Sequence, residues 1–133
     1  QPVASWECDV IPELSEQGCY KGVGKHYYFK TDNTTECAQW QGFFTTYDEG
    51  QLSGFGVSVL GTYLSPFSHT FYEYPALPVF KTIIKSRPPC MDDWLRYTGI
   101  TSVHVLLRRD PAQISCPLSD WRIGHCPAEE SDV

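Results

Sequence analysis

The sequence predicts an α+β domain in which a single α-helix packs on an antiparallel β-sheet and disulfides staple the fold. Three observations carry this. One segment, Cys37 to Tyr47, places apolar residues at helical spacing; five other segments have the aromatic content or the alternation of strands; and six cysteines are spread over 133 residues.

The elements follow in chain order. "GKHYYFKT", residues 24 to 31, is aromatic and bounded by glycine and by Asp32-Asn33, as a strand entering a turn is. Cys37, Trp40, Phe44 and Tyr47 then recur at spacings of three, four and three, which lie on one helical face. Asn33 or Thr34 can cap that helix, with Glu36 reaching back, and Gly50 can end it. In "GFGVSVLGTYL", Phe55, Val57 and Val59 alternate with small residues, the pattern of a half-buried strand. "HTFYEYPAL" reads as a further strand closed by Pro75 and Pro78. "TSVHVLLRRD" and "QISCPLSDW" are two more, joined across Asp110-Pro111. Between them "KSRPPCMDDWLRYTG" reads as an irregular loop pinned by prolines and Cys90.

Residues 1–133 are the size of one domain, with no repeat and no linker, and the acidic end 128–133 is expected to fray. No stretch approaches the roughly 18 uninterrupted apolar residues of a membrane span, so no membrane partner is expected. The cysteines form no CxxC pair and have no histidine at zinc-finger spacing, which argues for disulfides over a metal. That in turn predicts an oxidising compartment and a chain that starts where a secretion signal was removed. Asn33-Thr34-Thr35 is a glycosylation sequon and fits the same route.

The formal charge is −6, unevenly spread. Residues 1 to 50 hold three basic and eight acidic side chains, whereas 81 to 109 hold six basic ones, Lys81, Lys85, Arg87, Arg96, Arg108 and Arg109. The net sign disfavours nucleic acid, and that segment is the one source of a partner-binding basic surface. No G-x-S-x-G elbow appears, and the Gly22/Gly24 pair before Lys25 reads as a turn, so no cofactor is implied.

One carboxylate, Glu73, stands inside the aromatic run "FYEYPAL". That run resembles the strand which carries the catalytic glutamate of the T1-type guanyl-specific ribonucleases and the ribotoxins. The segment "VHVLLRRDPAQISCPLSDW" is similar to their next two strands, with Pro111 and Cys116 in matching places. "WEC", Trp6-Glu7-Cys8, resembles the motif that opens secreted effector candidates of powdery mildew fungi, many with a ribonuclease-like fold.

The resemblance implies a ribonuclease T1-like sheet with Glu73 as general base, and a Cys8–Cys126 pair. In the gapless register, however, the family's arginine falls on Val105 and its acid histidine on Trp121. Two of three essential roles are then empty. A slip bringing His104 to the arginine position would turn its neighbours to the other face. His26 precedes the predicted helix, whereas the family's assisting histidine follows it, and His69 and His125 read as surface or turn residues.

A base without its acid and cation loses most of its effect, so Glu73 is expected to be vestigial, paired with Arg108 or Arg109. The implied protein is a secreted, monomeric, non-enzymatic fungal effector. Its expected partners are host plant proteins, with recognition by an intracellular leucine-rich-repeat immune receptor. The alternatives are an active ribonuclease using Glu73, an RNA-binding pseudo-ribonuclease, and an unrelated cysteine-rich ligand. Six cysteines allow fifteen connectivities. Beyond Cys8–Cys126, local staples Cys19–Cys37 and Cys90–Cys116 compete with a ribotoxin-like Cys37–Cys116 bridge.

Overall fold

A computed structural model describes residues 3–63 and 72–116. Its strands are β1 (Leu14–Tyr20), β2 (Gly24–Phe29), β3 (Phe43–Asp48), β4 (Gln51–Leu60), β5 (Tyr72–Glu73) and β6 (Ile100–Leu106). The helices α1 (Leu77–Ile83) and α2 (Pro89–Thr98) lie between β5 and β6. The strands form one antiparallel sheet in the order β1-β2-β3-β4-β6-β5. The class is therefore α+β, with two helices among the described residues where one was expected.

The helix anticipated over 33–50 is absent. A 3-10 turn occupies Cys37–Gln39, and the chain then extends as β3. Glu49 and Gly50, at φ 53° and 82°, make the two-residue turn from β3 into β4, in which both central residues take positive φ. The helical spacing misled because β3 is covered on both faces, so buried apolar residues no longer alternate. The segment 85–99, read as a loop, contains α2. Pro89 opens that helix where a missing N–H costs nothing, Met91 and Leu95 share its buried face, and Gly99 at φ 74° ends it. Of "HTFYEYPAL" only Tyr72–Glu73 is described as strand, and Leu77 already belongs to α1. Of "QISCPLSDW", Ile114–Cys116 follow a 3-10 turn without strand pairing, and 117–121 lie outside the described residues.

Cross-strand register defines the two faces. On the inner face run Tyr28, Phe44, Gly56 and His104 from strand to strand, with Ser58 opposite Ser102 and Leu60 opposite Ile100. Helices α1 and α2 cover this face with Phe80, Ile83, Ile84, Met91 and Leu95 to form the core. Gly56 is needed there, because a Cβ would meet the Val103 carbonyl oxygen at 2.0 Å and Phe44 Cζ at 2.6 Å. Gly56→Ala is expected to cost about 1–3 kcal/mol through overpacking, read as a lower urea midpoint.

The alternation in β4 is the reverse of the expected one. Ser53, Gly54, Gly56 and Ser58 are buried, while Val57 and Val59 face outward. Their neighbours on the outer face are Val103 and Val105. Over β2 and β3 that face is covered instead by the N-terminal segment. Tyr27 donates to Glu7 Oε2 at 2.6 Å, Tyr47 donates to the Ala4 carbonyl at 2.8 Å, and Lys25 pairs with Glu7 at 3.4 Å.

Two disulfides are described, Cys19–Cys116 and Cys37–Cys90. Neither local staple forms, nor does Cys37–Cys116. Cys19 lies beside Lys25 near the β1–β2 turn, whereas Cys37 follows Phe29 at the other end of that hairpin. Four residues of strand, about 14 Å, separate Lys25 from Phe29, and each cysteine meets its partner from its own end of the hairpin. Cys37 enters the core instead, where the start of α2 presents Cys90. Cys8 is disulfide-bonded, but the Cys8–Cys126 pairing falls on Cys126, which lies outside the described residues. A disulfide-bonded chain is consistent with an extracellular setting.

Candidate functional site

Glu73 owes its position to a short edge strand. Its backbone pairs with Ser102, and its carboxylate reaches His104 on the same face of β6, with His104 Nδ1 donating to Glu73 Oε1 at 2.6 Å. The arginines expected to bind Glu73 are elsewhere. Arg108 donates to the Asp48 carbonyl at 2.9 Å and faces its carboxylate at 3.6 Å, while Arg109 is exposed beyond the strand. Arg108 leaves the sheet one strand end away from Glu73, beside the β3–β4 turn.

The pair opens into a cleft of about 340 Å³ walled by Tyr20, Val23, Tyr74, Val79 and Ile83. Glu73 is 56% exposed and the His104 side chain only 12%, so the carboxylate is the solvent-facing partner. Two glycines make room for this arrangement, since Gly54 and Gly56 place no side chain beside the His104 ring on the inner face. The ring meets Phe44 edge-on, with centroids 4.8 Å apart.

Behind it lies His26, fully buried on β2 and edge-on to His104 at 6.2 Å. His26 Nδ1 donates to the Gly24 carbonyl at 3.1 Å, and the ring packs against both Tyr28 and Phe44. Burial, reinforced by the neighbouring His104, lowers its pKa from 6.5 to about 3, against the opposing pull of the Gly18 and Gly24 carbonyls. His26 is therefore neutral at ordinary pH. Burial likewise pushes the Tyr28 hydroxyl up, although Ser58 partly offsets it.

The arrangement thus brings together Glu73, His104 and His26, of which the sequence singled out Glu73 and set both histidines aside. The signal for His104 was the row Ser102, His104 set against Val103, Val105. Its polar side is the inner one here, because β4 supplies serines and glycines opposite it. For His26 the objection was a helix that does not form. Val105 faces away, paired with Phe55 on the outer face, and Trp121, His69 and His125 lie outside the described residues.

The six basic residues of 81–109 are distributed over several elements, and Lys81, Arg87 and Arg96 all act on the Asp92 carboxyl. Lys81 lies on α1, Lys85 and Arg87 on the α1–α2 connection, Arg96 on α2, and Arg108 and Arg109 beyond β6. Arg87 is held by Asp92 at 2.6 Å and the Ile84 carbonyl at 2.9 Å, and Arg96 faces Asp93 at 3.6 Å. The Arg87 guanidinium keeps the Asp92 carboxyl below its usual range.

Chemically, a carboxylate fixed by an imidazole can take up a proton and orient a donor. Stabilising a phosphorane-like charge takes a cation or several donors besides. Among the described residues that line the cleft there is no arginine and no lysine. No family model, no curated protein and no solved structure matches the chain.

Proposed function

We propose that this chain is a secreted effector of the ribonuclease-like kind released by powdery mildew fungi, without ribonuclease turnover, and that it acts by binding host plant proteins. The observation that carries the reading is the cleft itself. Glu73 is tied to His104 at 2.6 Å, and no guanidinium or ammonium group lines the cleft among the described residues. The disulfides and the α+β architecture are what the reading asks of a secreted scaffold. Contacts to a host protein, and to an intracellular leucine-rich-repeat immune receptor, come in this reading from exposed loops and from Lys81, Lys85, Arg96 and Arg109, which are exposed.

A second reading, RNA cleavage by a rearranged site, is favoured by the imidazole beside Glu73, which gives a base an oriented partner. One assay separates the two. Oxidised protein and its Glu73→Gln variant are incubated with ribosomes and with a guanosine-containing RNA. Neither is expected to cleave. Cleavage by the parent that disappears in a folded Glu73→Gln protein would overturn the proposal.

A further inference from the structure

Asn33 is the only asparagine in the chain, and it opens the triplet Asn33-Thr34-Thr35. The sequence left its amide with two competing duties, helix cap and sugar acceptor. The structure removes the first, since no helix starts there.

The turn is held by Asp32 instead. Its Oδ1 accepts from the Thr34 N–H at 2.7 Å and from the Thr34 hydroxyl at 2.5 Å. Thr35 Oγ1 accepts from the Asp32 N–H at 2.9 Å and donates to the Lys30 carbonyl at 3.0 Å. Asn33 is exposed, and its side chain takes no part in these bonds. The neighbouring Asp32, Thr34 and Thr35 border an open groove of about 790 Å³, and Asn33 is not part of its lining.

We infer that Asn33 carries an N-linked oligosaccharide, added in the oxidising compartment where the disulfides form. The donor is a lipid-pyrophosphate-linked oligosaccharide. A bond forms between Asn33 Nδ2 and the anomeric carbon of the first sugar, the bond from that carbon to the pyrophosphate breaks, and the amide gives up one proton. Thr34 at the middle position is not proline, and Thr35 supplies the hydroxyl that the acceptor triplet requires. Because the side chain makes no hydrogen bond in the folded turn, the modification displaces no contact of the fold. The inference depends on the disulfide-bonded state and not on the proposed host partner.

The test is secretion from a eukaryotic host of the parent, Asn33→Gln and Thr35→Ser proteins, followed by intact mass and peptide mapping with and without peptide:N-glycosidase F. The parent and Thr35→Ser are expected to carry the oligosaccharide, and the enzyme to remove it and leave aspartate at position 33. Asn33→Gln is expected to be unmodified, equally oxidised and unchanged in urea midpoint. A secreted, fully oxidised parent whose Asn33 is unmodified overturns the inference, as does a modification that persists in Asn33→Gln.

Discussion

Replacing Cys37 and Cys90 together by alanine is expected to destabilise the protein by at least about 4 kcal/mol. The bridge joins residues 53 apart in the chain, so its removal frees a large loop in the unfolded ensemble. Chain entropy alone accounts for that figure. Further loss comes from packing, because Cys37 is a core residue and Cys90 packs against the core beside Met91 and Leu95. Domains of this size are typically stable by roughly 5–15 kcal/mol, so the variant should unfold at a much lower urea concentration or fail to fold at all. Cys19–Cys116 spans 97 residues, yet Cys116 is exposed, so breaking that bridge leaves a smaller packing defect. The comparison to make is urea unfolding of the two double-alanine proteins side by side. If the Cys37/Cys90 pair proved the milder loss, burial at the base of α2 would not be what that bridge secures.

The second large effect is on pH. Unfolded His26 titrates near 6.5, but in the folded protein it does so at about 3. Between those values the unfolded chain binds a proton that the native state refuses. Stability therefore falls as pH drops through this window, by about 1.4 kcal/mol per pH unit for this one group. Above 6.5 the contribution is complete and flat. The other groups on the ring are His104, edge-on to it, and Glu73 behind His104. Asp92, held below its usual range by Arg87, and Asp32, held down by its bonds to Thr34, also lose stabilising interactions on acidification. Their window lies lower, around and below the ordinary carboxylate range. Urea midpoints between pH 6.5 and 5 therefore lie above the carboxylate window. His26→Phe, which keeps a ring against Tyr28 and Phe44, is expected to flatten the slope there. A parent protein equally stable at pH 7 and pH 5 would contradict the buried neutral assignment.

The sheet was legible where one face of a strand meets water or a turn punctuates it. "GKHYYFKT" and "TSVHVLLRRD" became β2 and β6, and Gly54 to Leu60 became part of β4. What failed was the inference from periodicity in strands covered on both sides. Phe44 points into the helix-covered core and Tyr47 to the opposite face, where it bonds to Ala4, although their spacing of three suggested a common helical side. β4 inverted for a related reason. A face built of serines and glycines is buried because helices and rings approach it closely, so the polarity of its side chains pointed the wrong way.

The helices were hidden by their prolines. Pro78 and Pro89 each fall in the first turn of a helix, where the ring is tolerated, and both were read as breakers. Once α2 is seen, its other signals are ordinary: a buried pair four apart and a glycine at the end. The candidate site was legible in its carboxylate and not in its partner, since Glu73 meets His104 only through the register of a two-residue strand. No local pattern encodes that register.

The two described bridges are nested, Cys37–Cys90 inside Cys19–Cys116, and this sets a timetable for synthesis. At roughly 5–20 residues per second, Cys19 is synthesised about 5–20 s before its partner exists. During that interval Cys37 is the first thiol to follow it, only 18 positions later in the chain. Incorrect pairs among Cys8, Cys19 and Cys37 therefore become available first, the Cys37–Cys90 ring can close only later, and the Cys19–Cys116 ring later still. Correct assembly depends on thiol exchange undoing an early mispairing, so the yield of native protein should track the isomerase capacity of the producing cell.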